Sequence, residues 1–495
     1  MRALTTVSRA LSAGLLGAAC LLTGLSASAA TIVITSRDPA GVGFNDPTPT
    51  APVGGNNGAT LGEQRFNVYR YVADIWEQAI QSNVTITVSA GWEALTCTAT
   101  GAVLGSAGAW NIWHDFPGST PGTWYPQALA NKLAGTNLSD GVPDDGSGFG
   151  NVDIKTQFNV NLGKTGCLDG TPFYLGLTGF NGTGVNFVET LLHELGHGLG
   201  FSVLSVSTST GNRINAEGTA FTPTGLPSVW ESFMYDNTVG KTWLVMSAPE
   251  RKASAINPLK LAWIGNNAVT GAASTLLPAP VVKITTPVPG AAGLYDYGAA
   301  SFGAPITSPS ALGKLAVVSP AAALGCIAFA GADAAAINGK VALLDRGVCG
   351  FVLKVKNAQN AGATAVLIAD NAPGAPAGLG GSDPTITIPS ARITQAAGIT
   401  LKAAVLAAPK YGSRSTPGAV TASWDSDASR LAGTDSLGRP LLYTPNPLVG
   451  GSSVSHWDVS AFRNLLMEPN INNDLTTSLV PPLDLTLPLF KDIGW

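Results

Sequence analysis

After Thr60 and Glu63, apolar residues recur at helical spacing: Phe66, Tyr69, Val72, Ala73, Trp76 and Ile80. A threonine three residues before a glutamate is a capping-box signature, so the pattern predicts a long amphipathic helix. Val84, Ile86 and Val88 then alternate with polar neighbours, as do Ile154, Phe158, Val160 and Leu162, and both runs predict strands. A second helix is expected from Asn186, an N-cap with Glu189 three residues later, carrying Phe187, Leu191, Leu195 and Leu199 on one side. Gly196, Gly198 and Gly200 are expected to end it.

From about Val281 the character changes to Ala, Gly and Val. Val341 to Leu344 reads as a strand, Phe351 to Ala361 as a helix and Ala365 to Ala369 as a strand, a βαβ unit, with a further strand expected over Ile386 to Ile393. The most apolar stretch, Leu315 to Gly331, is interrupted by Ser319 and Pro320 and reads as buried strand and turn rather than a membrane span. The run from Asn338 through Asp345-Arg346-Gly347 to Phe351, then Lys354 to Gln359, Ala361-Gly362-Ala363 and Ile386 to Ser390, closely resembles the protease-associated domain. That resemblance covers roughly residues 280–410. It implies a non-catalytic module of substrate access or protein contact, appended to or inserted in a hydrolase.

At 495 residues the chain calls for two or three domains. Only 12% of residues are charged, the formal net charge is -4, and 59 glycines and 33 prolines point to a loop-rich surface. Without a basic stripe, no nucleic-acid partner is expected. Arg2 and Arg9, the apolar Leu11 to Leu25 and Ala27-Ser28-Ala29 form the three parts of a secretory signal, so residues 1–29 are expected to be removed and the protein to be secreted or periplasmic. Cys20 lacks the leucine three positions upstream that a lipoprotein signal uses, and Pro481, Pro482, Asp484 and Pro488 interrupt the C-terminal apolar tail, so no membrane anchor is expected. Cys97, Cys167, Cys326 and Cys349 remain. Disulfides are the default for an even number in an exported chain, and of three pairings proximity favours Cys97 with Cys167 and Cys326 with Cys349.

The chain has four histidines, and two stand in His193-Glu194-Leu195-Gly196-His197. Residues i and i+4 share one helical face, so both imidazoles can reach one zinc ion. Glu194, turned away from that face, can act as general base toward a metal-activated water. A third protein ligand is still needed. In H-E-x-x-H-x-x-G-x-x-H the glycine turns the chain back to a third histidine; Gly200 fits, but the third position is Val203, which cannot ligate. His456 supplies the missing imidazole, followed by Met467 in Leu466-Met467-Glu468-Pro469. Together, His193 to Phe201, Ser455-His456-Trp457 and Leu466-Met467 resemble leishmanolysin-type metzincins, in which an insertion separates the glycine from the third histidine and a methionine turn follows. The resemblance implies metal ligands His193, His197 and His456, catalytic Glu194, and Met467 as hydrophobic floor. The inserted module and the lack of an obvious inhibitory propeptide depart from that family.

The expected fold is α+β. A metzincin-like zinc peptidase domain, with N-terminal strands and active-site helix over residues 30–270 and a C-terminal Met-turn subdomain over residues 425–495, is interrupted by the α/β protease-associated domain. The expected function is a secreted zinc metalloendopeptidase acting on proteins or peptides, with one catalytic Zn2+. Other readings stay open at this point. A gluzincin arrangement would draw its third ligand from Glu217 or Glu231, and Tyr235 is a candidate oxyanion donor. Asp140, Asp144, Asp145 and Asp153 lie in a Gly-rich loop that could hold Ca2+, though an acidic turn is the simpler account. His114 reads as structural. The protein could also be a secreted binding or adhesion protein with a vestigial metal site, or an exopeptidase, a class that relies on two metals held by several aspartates and histidines, and with four histidines this chain has few to spare.

Overall fold

The computed structural model describes residues 29–142, 150–178, 182, 184–376, 378–381, 383–408, 419–472 and 474–495. The signal segment therefore lies outside the described residues apart from Ala29, as do Asp144 and Asp145.

The first sheet is built from β1 (Ile32–Ser36), β2 (Ile86–Glu93), β3 (Gly105–Ala109) and β4 (Ile154–Asn159), in the order β1-β2-β4-β3. The first three in that order run parallel, and β3 is an antiparallel edge strand with Ala107 opposite Thr156. Helix α1 (Leu61–Ala79) and the helix α2 (Phe187–Leu199) pack on one another and on this sheet. Tyr69, Phe158, Phe187 and Trp92 meet there as a tilted and edge-to-face aromatic cluster. Each fully buried ring or Leu side chain stabilises by about 1.5–3 kcal/mol relative to exposure.

Local hydrogen bonds account for where elements differ from the pattern. Thr60 caps α1 through the Glu63 N–H, but the Glu63 carboxylate accepts from Ala59 rather than from Thr60 itself. Phe66 is exposed, and Ile80 is the C-cap. The Ser82 hydroxyl bonds both the N–H and the carbonyl of Val84, which holds that residue in a turn before β2. β4 stops at Asn159 because its side chain accepts from Asn161 N–H, leaving Val160 and Leu162 beyond the strand.

Of the three glycines expected to end α2, only Gly200 does so, at φ 125°. Gly196 and Gly198 are inside the helix because neighbours come too close for a side chain. A Cβ on Gly196 would sit 2.8 Å from Met467 Sδ, and one on Gly198 would sit 2.3 Å from Ile154 Cγ2.

The described residues between 278 and 431 form a separate closed barrel. Its strands are β5 (Pro278–Thr285), β6 (Gly293–Ala299), β7 (Ser310–Ala316), β8 (Val341–Asp345), β9 (Ala365–Ala369), β10 (Ser390–Ile393) and β11 (Thr421–Leu431). Helices α3 (Phe351–Asn360) and α4 (Gln395–Ala407) cover it. β8 and β9 pair in parallel across α3, a βαβ unit. The expected strand from Ile386 shrinks to Ser390–Ile393, since Asp383 turns the chain at Thr385 and the Gln359 side chain accepts the Thr387 N–H. The barrel has its own two hydrophobic clusters, whereas the main core draws on residues from Ala30 to Leu276 and again from Leu442 to Ile493. Its two ends leave side by side: Pro278 is opposite Leu431, and Ala432 N–H donates to the Leu277 carbonyl at 2.9 Å.

Disulfides join Cys97 to Cys167 and Cys326 to Cys349. Among the described residues no helix is long and apolar enough to cross a membrane. The final helix, α5 (Thr486–Ile493), stacks Phe490 on Trp76, and Trp495 Nε1 donates to the Leu199 carbonyl at the end of α2.

Packing and burial each make stability testable. Gly198→Ala gains up to about 1 kcal/mol of helix propensity but drives a methyl into Ile154, so a net loss of roughly 1–2 kcal/mol is expected in urea unfolding. Burial pushes the Asp153 carboxyl up to about 6, against the N–H donors of Thr87 and Asn131. A raised carboxyl favours the fold most below its unfolded pKa and loses that contribution as pH rises through about 6. Stability measured from pH 4 to pH 7 should fall by on the order of 1–3 kcal/mol on this account, and Asp153→Asn should flatten that slope.

Candidate metal centre

α2 starts where Asn186 accepts from the N–H groups of Val188 and Glu189. It then buries Phe187, Leu191, Leu195 and Leu199, which fixes the rotation of His193 and His197 toward the opposite side. At its C-terminus the positive φ of Gly200 turns the chain sharply, so that the Phe201 carbonyl comes back to His197 Nδ1 at 2.7 Å.

The structure brings His456 to the same point. His197 Nε2 lies 3.0 Å from His193 Nε2 and 3.1 Å from His456 Nε2. Each ring's other nitrogen meets a backbone carbonyl: His193 Nδ1 on Leu466 at 2.7 Å, His197 on Phe201, and His456 on Ser452 at 2.8 Å. A carbonyl can only accept, so every Nδ1 carries the proton. Burial, the largest cause in all three, holds His193 down to about 4 and His456 to about 3, and His197 also feels the other two rings. Neutral rings with Nδ1–H have lone pairs on Nε2. The short Nε2 contacts are therefore not hydrogen bonds but three lone pairs aimed at one another.

That arrangement is repulsive unless a cation sits among them. Three nitrogens at roughly 2.0–2.1 Å from a tetrahedral zinc ion lie about 3.3 Å apart, close to the spacing observed. The donor set of neutral imidazoles, each oriented by a backbone carbonyl, fits zinc. It is also the single His, Cys, Asp or Glu cluster of metal-binding geometry among the described residues.

Val203 explains why a distant histidine can serve. Its N–H donates to the Ser455 hydroxyl at 3.2 Å, so the segment carrying His456 lies against the position to which a local third histidine would have returned. Met467 is fully buried against Gly196, and its carbonyl accepts from the Trp457 N–H at 2.8 Å. Glu194 points toward the edge strand and accepts from the Ala107 N–H, while burial pushes its carboxyl up to about 8. A cation among the histidines would oppose that and favour the carboxylate.

The other candidates are occupied elsewhere. Glu231 is fully buried in an ion pair with Arg213 at 2.8 Å and also accepts from Ser205 and Ser228, so it has no oxygen left for a metal. Glu217 is exposed in a turn. Tyr235 lies beneath the Arg439 guanidinium. His114 bridges Asp115 and the Ala216 carbonyl and packs edge-on against Trp124, a structural role. Of the aspartates considered for Ca2+, Asp153 has both oxygens on N–H donors and Asp140 is an exposed turn residue, while Asp144 and Asp145 lie outside the described residues. Missing from the sequence reading were the roles of Leu466, whose carbonyl orients His193, and of the buried acidic side chains of Glu468 and Asp484 around it. The visible signal was an acid next to Met467 and another between Leu483 and Leu485.

Comparison with known proteins addresses the barrel. Residues 311–401 match the PA domain family. Vacuolar-sorting receptor 5 from Arabidopsis thaliana is 43% identical over 60 residues, 10% of this chain and 10% of the receptor, so the chain spans about a tenth of the curated relative it matches. Among solved structures, the zinc aminopeptidase BSAP from Bacillus subtilis is 22% identical over 33% of this chain and 38% of its own, with a TM-score of 0.21. An aminopeptidase from Aneurinibacillus sp. strain AM-1 is 22% identical over 40% and 41%, also with a TM-score of 0.21. Scores this low are no guide to the fold or activity of the remainder. The chain is thus a mixed α/β protein that contains a PA domain.

Proposed function

We propose that the protein is a secreted zinc endopeptidase of metzincin type, in which the PA domain interrupts the catalytic domain. The observation that carries this reading is the convergence of three neutral imidazole lone pairs beside a half-buried glutamate. A purely structural metal would have no use for that carboxylate. His193, His197 and His456 would hold the ion, with Met467 packed beneath α2. A zinc ion there supplies Lewis acidity, polarising a peptide carbonyl and lowering the pKa of water towards neutrality. Glu194 takes the proton from the attacking water and delivers it to the leaving amine. β3 lies at the sheet edge next to Glu194, and its Gly, Ser and Ala side chains leave room for an extended substrate strand to pair with its backbone. The two disulfides accord with an exported protein.

The purified protein should take up one zinc and cleave casein, with activity lost to a chelator and restored by zinc. Glu194→Gln should keep the metal and lower kcat by at least about 100-fold. His456→Ala should lose most of its zinc; full occupancy and activity in that variant would exclude His456 as ligand. A fluorogenic peptide blocked at both ends decides the cleavage mode. Hydrolysis at an internal bond is expected, whereas turnover confined to peptides with a free amino end would make the protein an exopeptidase.

A further inference from the structure

We propose that Asp484 is a positioning residue for the metal ligand His193, acting through the backbone of Leu466. The inference rests on the zinc reading of the histidine cluster and adds to it a residue that neither touches the ion nor lies near it in sequence.

The chain of contacts is short. Asp484 is 2% exposed, and its two oxygens accept from two backbone donors, Leu466 N–H at 2.7 Å and Thr486 N–H at 2.7 Å. The Leu466 carbonyl in turn accepts from His193 Nδ1. One carboxylate therefore ties the first residue of α5 to the residue whose carbonyl fixes the tautomer and rotation of His193. The same turn reaches the third ligand, because the Met467 carbonyl holds the N–H of Trp457, next to His456. Glu468 secures the preceding peptide by accepting from Leu465 N–H at 2.8 Å. Removing an ionisable group from water costs several kcal/mol unless its acceptor sites are filled. A buried carboxyl group whose two oxygens each accept from a main-chain N–H holds those groups in place, since a buried N–H left without an acceptor is costly. Leu466 is the shared point: its N–H belongs to Asp484 and its carbonyl to His193.

Asp484→Asn is nearly isosteric but leaves one of the two N–H groups facing an amide donor. It should weaken zinc binding roughly 10- to 100-fold, the range typical of partners that orient a ligating histidine. It should also shift the visible absorption band of the cobalt-substituted protein. Asp492→Asn is the control, because Asp492 ties the same helix to Trp263, Asn267 and Ala268, away from the turn. At comparable loss of thermal stability it should leave zinc affinity and the cobalt spectrum unchanged. If the Asp484→Asn protein does not fold, amide exchange in the unsubstituted protein gives the answer: zinc should slow exchange at Leu466 more than at Ala268. Equal weakening in both variants, affinity of the Asp484→Asn protein within twofold of the unsubstituted one, or equal exchange changes at the two amides would overturn the proposal. Absence of zinc binding by the unsubstituted protein would instead remove the zinc reading itself.

Discussion

Three backbone carbonyls decide the character of this molecule. Leu466, Phe201 and Ser452 each accept from an imidazole Nδ1, and that choice of tautomer leaves three Nε2 lone pairs facing a common point. The three carbonyls come from a turn after the barrel, from the reversal at the end of α2, and from the loop before His456. Holding them within hydrogen-bond range together requires both flanks of the barrel to be folded against each other. Lone pairs converging in a buried setting are destabilising by themselves, so the surrounding core must hold them in place until a cation offsets the repulsion.

The core does so with close contacts on both sides of α2. Gly198 lets the helix lie directly on β4 at Ile154, and Gly196 lets Met467 lie directly on the helix between the two histidines of the motif. One glycine sets the distance to the sheet, the other the distance to the turn. Glu194, on a third side, is tied to β3. Strand, turn and helix are thereby locked in a stack in which a shift of any one moves the imidazoles. The barrel takes no part in this stack, having separate hydrophobic clusters of its own.

The sequence announced the parts whose signals are local. Thr60 and Asn186 cap helices where their side chains can reach an N–H two or three residues on, and the apolar spacing of α2 determined which side faces the core. The i, i+4 histidines are adjacent for the same reason. The mismatch at Val203 was informative because a valine cannot ligate, and the structure has Ser455 bonded to that residue's backbone. Strand limits were harder to read, since a single side chain such as Ser82, Asn159 or Asp383 can turn the chain before an apolar run is finished. Gly196 and Gly198 misled because a glycine required for close approach looks, in one dimension, like a helix stop. The link between Leu466 and Asp484 was not legible: one contributes only its backbone, and the other, an acid set among apolar residues, meets it across 18 residues.

The hydrogen bond between Ala432 and Leu277 has a consequence for how the molecule assembles. Bringing His197 and His456 together means closing a loop of 259 residues. Once the barrel has folded on its own core, its two ends are pinned together, and the chain that must still be closed is only about 100 residues long. With chain entropy costing about 0.6 kcal/mol per doubling of loop length, the folded barrel spares the histidines somewhat less than 1 kcal/mol. The larger effect is on order. A domain with its own core can form early and act as a clasp, so that the two halves of the histidine cluster meet as neighbours rather than as the distant ends of a long chain.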